Sequence, residues 1–367
     1  MHILAIDVGT GTQDILLFDS DGPIENSPKM VLPSPTAIAA TRIRRATAAR
    51  QPLLLDGTIA GGGPCSWALE DHLRAGLPAF ATPDAARTID DDLDRVRALG
   101  VTIISDDEAA RFPGARVTLR DLDLEAICAA FAAFEVPLAF DGIAVACLDH
   151  GDAPPGTSDR IFRFDHLART VRARNDLLAF ATAPADLPPY LTRARAIVEA
   201  ASREAAVAFM DTGPAAALGA LHDERVAASP ERLVLNLGNM HLLGFHLRGR
   251  TIASLFEHHT GEVTNEQVET FTRRLADGTL QNDEVFSSKG HGALHVDRSF
   301  VRPALPPMVA VTGPQRGRLA GSFLRPTFAA PFGDMMIGGC FGLLRAFAEV
   351  HPWAREPVDA RLGALAA

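Results

Sequence analysis

Cysteine is scarce in this chain of 367 residues. There are four, Cys65, Cys128, Cys147 and Cys340, and no two are close enough to form a CxxC or CxxxCxxC group. An iron–sulfur cluster held within one chain is therefore not expected. Nor is a disulfide scaffold, which belongs to small chains in oxidising compartments. The four read instead as buried small apolar residues. Lysine is scarcer still, with only Lys29 and Lys289, and the formal net charge is -10. An acidic chain repels both nucleic-acid backbone and anionic lipid, so neither is expected as a partner. Any anionic ligand would need a local device, such as glycine-loop amides or a bound cation. No run of roughly 18 apolar residues occurs, so no membrane-spanning helix is expected. The first strand opens at Ile3 and leaves no room for a basic segment and an apolar leader core. A cytoplasmic location is the expectation.

What is present is an ordinary globular balance, 47% hydrophobic and 22% charged. The length exceeds one typical core and points to two domains. Strand and helix patterns alternate. "ILAIDVGTGTQDILLFDSDG" (3–22) reads as a hairpin closed by the Asp21-Gly22 turn. Apolar runs at 51–57, 101–107 and 142–151 read as strands. The stretches 64–77, 88–100 and 122–134 read as helices, with Gly100 ending the second. Residues 152–160 form a Pro/Gly loop, and 165–210 read as mostly helical. A strand follows at 205–213, and Pro214 suits the first turn of the next helix. This alternation predicts an α/β architecture.

The opening pattern then returns. "RLVLNLGNMHLLGFHLRG" (232–249) is again an apolar strand, a polar residue, one apolar residue, glycine and a second apolar strand. Asp7/Gly9 and Asn236/Gly238 occupy equivalent places, which predicts an internal repeat. A helix is expected over 265–278, a strand ending at Gly313 over 307–317, and a glycine-containing helix over 331–350.

These elements, in this order, resemble the superfamily of sugar kinases, actin and heat-shock-chaperone ATPases. Asp7, Gly9, Thr10 and Gly11 match its first phosphate hairpin. "MDTGPAAALGAL" is similar to its linking helix, "NLGNMH" to its second hairpin, "VAVTGPQRG" to its adenosine loop and "IGGCFGLL" to its closing helix. The resemblance implies two ribonuclease-H-like (actin-like ATPase) domains facing a central cleft. It implies Mg-ATP or ADP there, used by an ATPase or a small-molecule kinase. Asp7 would anchor Mg²⁺, and Gly9, Thr10, Gly11, Gly238 and Asn239 would cradle phosphate. Asp211 would orient the attacking water or hydroxyl, while Gly313 and Gly339 would lie at the nucleotide. The implied division is 1–210, 211–345 and a C-terminal helix and tail at 346–367. The chain departs from the pattern at Asn236, which replaces an acid, at Pro314, which replaces a glycine, and at Met240 and His241. "CLDHGDAPPGTSDRIFRF" (147–164), "FEHHTG" (256–261) and "SSKGHGA" (287–293) resemble a family whose members carry the provisional label pyruvate formate-lyase activating enzyme. That label implies radical chemistry on a CxxxCxxC-bound cluster, which the cysteine spacing rejects.

Histidine is the other concentration. Of twelve, six fall between residues 241 and 295: His241, His246, His258, His259, His291 and His295. His241 and His246 are an odd number apart, so on one strand they face opposite sides. The expected cluster is a metal or phosphate site from His150, His258 or His259, and His291. Neutral imidazole suits zinc, iron or nickel. Alternatively His150, in "LDHG" after a strand, or His291 could act as an acid or base near pH 7. The alternative is a set of hydrogen-bonded structural histidines. Two functional readings thus stand side by side: nucleotide chemistry in the cleft, or a diverged protein binding a transition metal or small anion through cleft histidines in an accessory or maturation role. The glycine loop at 56–67, feeding a helix, could hold an anion or serve as a connector. Lys289 reads as solvated.

Overall fold

The computed structural model describes residues 1–136, 139–300 and 308–365. β1 (His2–Val8) and β2 (Thr12–Asp19) form the opening hairpin, with Asp7 opposite Asp14. Both strands are buried on both faces, as their near-continuous apolar sequences require. β3 (Lys29–Pro33) extends the meander antiparallel to β2.

The chain then builds an inserted lobe. β4 (Leu53–Gly57), β5 (Ala79–Ala81), β6 (Val101–Ile103) and β7 (Ala115–Leu119) form a parallel sheet in the order β6-β5-β4-β7. Helices Pro35–Ala48 and Pro64–Arg74 belong to it, and Ile43, Leu53, Leu55, Leu69 and Val96 fill its core. β8 (Gly142–Cys147) returns parallel to β1, and β9 (Ala206–Asp211) lies parallel to β8. Between them run helices Asp159–Ala173 and Thr192–Ser202. The first sheet is ordered β3-β2-β1-β8-β9.

Helix Thr212–Ala220 links this sheet to the second. There β10 (Glu231–Leu237), β11 (His241–Arg248) and β12 (Thr251–His259) form an antiparallel meander. β13 (Gly292–His295) joins the edge of β12, while β14 (Met308–Thr312) and β15 (Thr327–Phe328) lie parallel on the far side of β10. Apart from β13, the order repeats that of the first sheet: a three-stranded meander, then two parallel strands beside its first member. Two ribonuclease-H-like sheets in tandem, joined by one helix, make the actin-like fold expected from the sequence.

Helices Thr212–Ala220 and Gly338–Val350 pack between the sheets, in a core that includes Ala5, Phe18, Met210, Phe245, Phe341 and Phe347. Their small residues allow very close approach. A Cβ on Gly219 would sit 1.8 Å from the Gly338 carbonyl oxygen, and one on Gly342 would sit 2.0 Å from that of Ala215. Gly338–Val350 also reaches the first sheet, where a Cβ on Gly142 would strike the Phe347 ring. The sequence-based boundary at 345 therefore cuts a continuous helix.

Three stretches differ from expectation. Helix 88–100 shrinks to Leu93–Ala98, because the Asp92 carboxylate accepts from the Asp94 amide and caps it there. The stretch 165–210 is α-helical only to Ala173 and again over Thr192–Ser202, with short 3-10 turns at Leu177–Phe180 and Pro184–Asp186 between. Pro184, Pro188 and Pro189 intervene, and none can donate a helical hydrogen bond. The last long helix starts at Gly338 rather than 331, after a turn in which Phe332 has φ +52. Among the described residues no helix is long and apolar enough to cross a membrane.

Candidate functional site: two hairpins and a histidine cluster in one cleft

The two hairpins close in the same way. The Gly9 amide donates to the Thr12 carbonyl at 2.9 Å, and the Gly238 amide donates to the His241 carbonyl at 2.9 Å. A Cβ would lie 2.9 Å from that oxygen at Gly9 and 2.8 Å at Gly238, so both turns demand glycine. Both amides are spent inside the turns, a correction to their expected place in a phosphate cradle. Among the described residues, the amides of Thr10, Gly11, Asn239 and Met240 have no backbone partner, and these tip amides are the ones open to a ligand. The tips meet across the cleft, since a Cβ on Gly11 would fall 2.3 Å from Asn239 Nδ2.

Beneath the tips lie two carboxyls. Asp7 accepts from Thr212 Oγ1 at 2.8 Å, and a Cβ on Gly339 would sit 2.4 Å from Asp7 Oδ2. Gly339 thus makes room for Asp7. Asp14 faces the same side of the hairpin, and its buried Oδ1 has no hydrogen-bond partner. Burial pushes Asp7 up to about 7; the Asp211 charge adds to this, while the Thr212 hydroxyl opposes it. Burial and the Asp7 charge push Asp14 up to about 8. Two buried acids that resist ionising together, one with an orphaned oxygen, suit a hard cation, because its charge would relieve both costs.

The matching position in the second hairpin is Asn236, which lines the cleft without charge. Gly313 follows β14 with φ +92; a Cβ there would lie 2.4 Å from the Leu237 carbonyl oxygen and 2.7 Å from Asn236 Oδ1. Pro314, Met335 and Met336 continue this wall. Arg193 supplies a cation at the cleft. Its Nε donates to Asp121 at 2.6 Å and its Nη1 to the Leu148 carbonyl at 2.6 Å, which holds it at the cleft. The glycine loop of the inserted lobe, Gly61 to Gly63, borders the same opening beside Thr10, Arg193 and His150.

Histidines from both halves meet at the other end. His150 follows β8 in a turn fixed by Asp149, whose carboxylate accepts from the amides of Gly151 (2.8 Å) and Ala194 (2.9 Å). His241 opens β11 and pairs in register with His259 at the end of β12. His291 precedes β13, with its amide donating to the Glu257 carbonyl. His150 Nε2 lies 3.2 Å from His291 Nε2. The His241 ring centre is 5.1 Å from that of His150, 5.0 Å from His291 and 4.8 Å from His259. His150, His259 and His291 are thus brought together as expected. His258 is not: one residue earlier on β12 it faces the other side, beside Phe271, with Nε2 3.2 Å from Ser288 Oγ. His246 faces away from His241, as its odd spacing required, and pairs with Glu231 at 3.1 Å.

Arg163 ties this cluster to the linking helix. It is 1% exposed and reaches Glu257 at 3.0 and 3.2 Å, Asp211 at 2.5 Å and the Asp149 carbonyl at 3.3 Å. Asp211 Oδ1 meanwhile accepts from the Gly213 amide. Both oxygens of Asp211 are engaged, so taking a proton from water would break a buried ion pair. Asp211, expected from the sequence to orient the attacking water or hydroxyl, caps the linking helix and anchors Arg163.

Burial drives every cluster histidine toward the neutral form. His150 is lowered to about 4, with the Arg163 charge adding to burial. His241 and His291 lie well below the ordinary histidine range through burial and their neighbouring imidazoles, and His259 is lowered by burial. Burial thus favours the neutral imidazole at His150, which keeps one N–H and one acceptor nitrogen.

Sequence reasoning did not single out Asp14, Arg163, Arg193 or Glu257, and it left His241 out of the cluster. The parity of β11 and β12 would have paired His241 with His259, given their register. Nothing local marks Arg163, one arginine among several on an amphipathic helix. Lys289 is exposed and pairs with Glu262 at 2.7 Å. The cysteines are dispersed: Cys65 lies in the inserted lobe, Cys128 is half-buried, Cys147 ends β8, and Cys340 Sγ lies 3.2 Å from the Asp14 carbonyl.

Among solved structures, the chain is similar to the inorganic polyphosphate/ATP-glucomannokinase of Arthrobacter sp. strain KM, with 10% identity over 95% of this chain and 99% of that one and a TM-score of 0.36. It is similar to a ROK hexokinase from Thermus thermophilus, with 13% identity over 95% and 99% and a TM-score of 0.31. The Ppx/GppA family member of Aquifex aeolicus gives 10% identity over 98% and 96% and a TM-score of 0.29. The fold assignment rests on strand order and register, not on these likenesses. No curated protein matches the chain. A family model described as "Putative pyruvate format-lyase activating enzyme (DUF1786)" matches residues 60–318, and the chain belongs to that family.

Proposed function

We propose that this protein binds a magnesium nucleotide between its two hairpins and acts in phosphoryl transfer, as an ATPase or a small-molecule kinase. One observation carries the reading. Two equivalent glycine turns meet tip to tip at Gly11 and Asn239, above two buried acids, one with an oxygen that no hydrogen bond reaches. Peptide amides at such tips form an anion-binding concavity. Thr10, Gly11, Asn239 and Met240 would supply the amides. Asp7 and Asp14 would hold Mg²⁺ through oxygen, largely by way of its waters. Magnesium, when bound, would neutralise phosphate charge, and the rest of such catalysis is positioning. Arg193 offers a fixed guanidinium to the same ligand. Met335, Met336 and Gly313 form the wall suited to the base. Asn236 leaves the second hairpin uncharged, so metal binding falls on the first.

Titration calorimetry with Mg-ADP tests this. The wild type should bind in the micromolar range. Asp7→Ala should lose most of that affinity with the far-ultraviolet circular dichroism unchanged. Equal ADP affinity in wild type and variant, with and without magnesium, would remove the assignment.

A further inference from the structure

We infer that His150, His241 and His291 form a three-imidazole site for a divalent transition-metal ion of zinc-like coordination, bridging the two halves of the cleft. This site is separate from the magnesium proposed at Asp7 and does not rest on it.

One nitrogen from each of the three rings lies within 4.8 Å of the others. His150 Nε2 and His291 Nε2 are 3.2 Å apart. Two nitrogens bound tetrahedrally at about 2.0–2.1 Å stand about 3.3 Å apart, so this edge is already set. The third corner needs only a small inward movement of His241.

Hydrogen bonding accounts for the 3.2 Å edge between His150 and His291 but not for the approach of His241. His291 is 1% exposed and its Nδ1 has no partner; His241 Nδ1 is likewise buried and unpartnered. With its proton on Nδ1, a neutral imidazole keeps the Nε2 lone pair for an ion. The surroundings match those of a metal site. Glu257 Oε1 lies 3.8 Å from His241 Nδ1, and Asp159 Oδ2 lies 3.9 Å from His150 Nδ1. At these distances neither carboxylate hydrogen-bonds its ring, but negative charge behind a ligating imidazole favours the metal-bound form. Glu257 is in turn held by the Nε and Nη2 of Arg163. The burial that keeps these rings neutral also keeps them in the form a metal binds. An all-nitrogen set selects zinc, iron(II), cobalt or nickel over magnesium and calcium, which take oxygen.

Three protein ligands leave a coordination position open, the pattern of a reactive rather than a purely structural zinc site. His259 borders it, with its ring centre 4.5 Å from that of His291. The elements explain why the bridge forms. His150 rides on the β8 turn of the first half, and His241 and His291 come from the second sheet.

The test is cobalt(II) titration of the full chain, tag-free, stripped by a chelator and without nucleotide. The expected result is one cobalt per chain, with the ligand-field bands of a low-coordinate nitrogen site, displaced by zinc. His150→Ala and His291→Ala should each weaken cobalt by more than about 100-fold, since even outer ligands matter by 10–100-fold. His258→Ala, outside the cluster, should bind like wild type. Should an alanine variant misfold by circular dichroism, His150→Gln and His291→Gln keep the volume and take the same titration. Absence of tight cobalt in the wild type, or equal binding in folded variants of His150 and His291, overturns the inference.

Discussion

At the residue scale, the informative groups are two acids whose protons are held by burial. Asp7 at about 7 and Asp14 at about 8 both lie far above the unfolded value of 3.8. Such acids keep protons that the unfolded chain has already lost. Between about pH 4 and 8 folding therefore takes up protons, and the magnesium-free protein loses stability as pH rises through that window. Below pH 4 the difference vanishes, because both states are protonated. Asp14→Asn keeps the shape and removes one titrating charge. It should stabilise the magnesium-free protein at pH 8 by roughly 1–3 kcal/mol, allowing for the coupling of the two acids, and by almost nothing at pH 4. Urea denaturation at the two pH values measures this. A gain of equal size at both would show that ionisation is not its source.

Residue parity explains what could be read from the sequence here. The opposition of His241 and His246 was legible, because it needs only the two-residue strand period. The choice between His258 and His259 was not, since it depends on where β12 ends and which residue faces His241. Arg163 was invisible for a different reason. Its partners Asp211 and Glu257 are 48 and 94 residues away, and only the packed fold joins them.

At the scale of elements, the repeated hairpins were the clearest signal. Glycine two residues beyond a polar strand residue is a demand of turn geometry, and Gly9 and Gly238 meet it identically. The small residues of the two central helices were legible as a pattern but not in purpose. Two substitutions separate their roles. Gly219→Ala places a methyl 1.8 Å from the Gly338 carbonyl oxygen, so backbone must move. It should cost roughly 1–3 kcal/mol in denaturant unfolding, despite the better helix propensity of alanine. Gly339→Ala meets the Asp7 carboxylate at 2.4 Å, a side chain that can turn aside. Its stability should change little, while Mg-ADP affinity falls about tenfold or more as Asp7 is displaced. Unchanged ADP affinity would mean that the position of Asp7 does not govern the nucleotide.

At the scale of the molecule, the two proposed ligands share one cleft and one strand end. Met240 and His241 lie where the second hairpin tip passes into the histidine cluster, and both residues line the nucleotide cleft. A metal held by His150 on one side and by His241 and His291 on the other would fix the halves at one separation. A nucleotide clasped by both tips would do the same. Each ligand then lessens the ordering that the other must impose, so their binding is positively coupled, and linkage makes the coupling reciprocal. Zinc at 100 times its dissociation constant should stabilise the protein by about 2.7 kcal/mol. It should also tighten Mg-ADP by several-fold, with Mg-ADP tightening zinc by the same factor. Measuring each dissociation constant in the absence and presence of the other ligand closes the cycle. His150→Ala should abolish the coupling while leaving Mg-ADP binding near its zinc-free value, because His150 is the bridge's only foot in the first half. Coupling that survives in that variant would place the communication in the His241 strand alone.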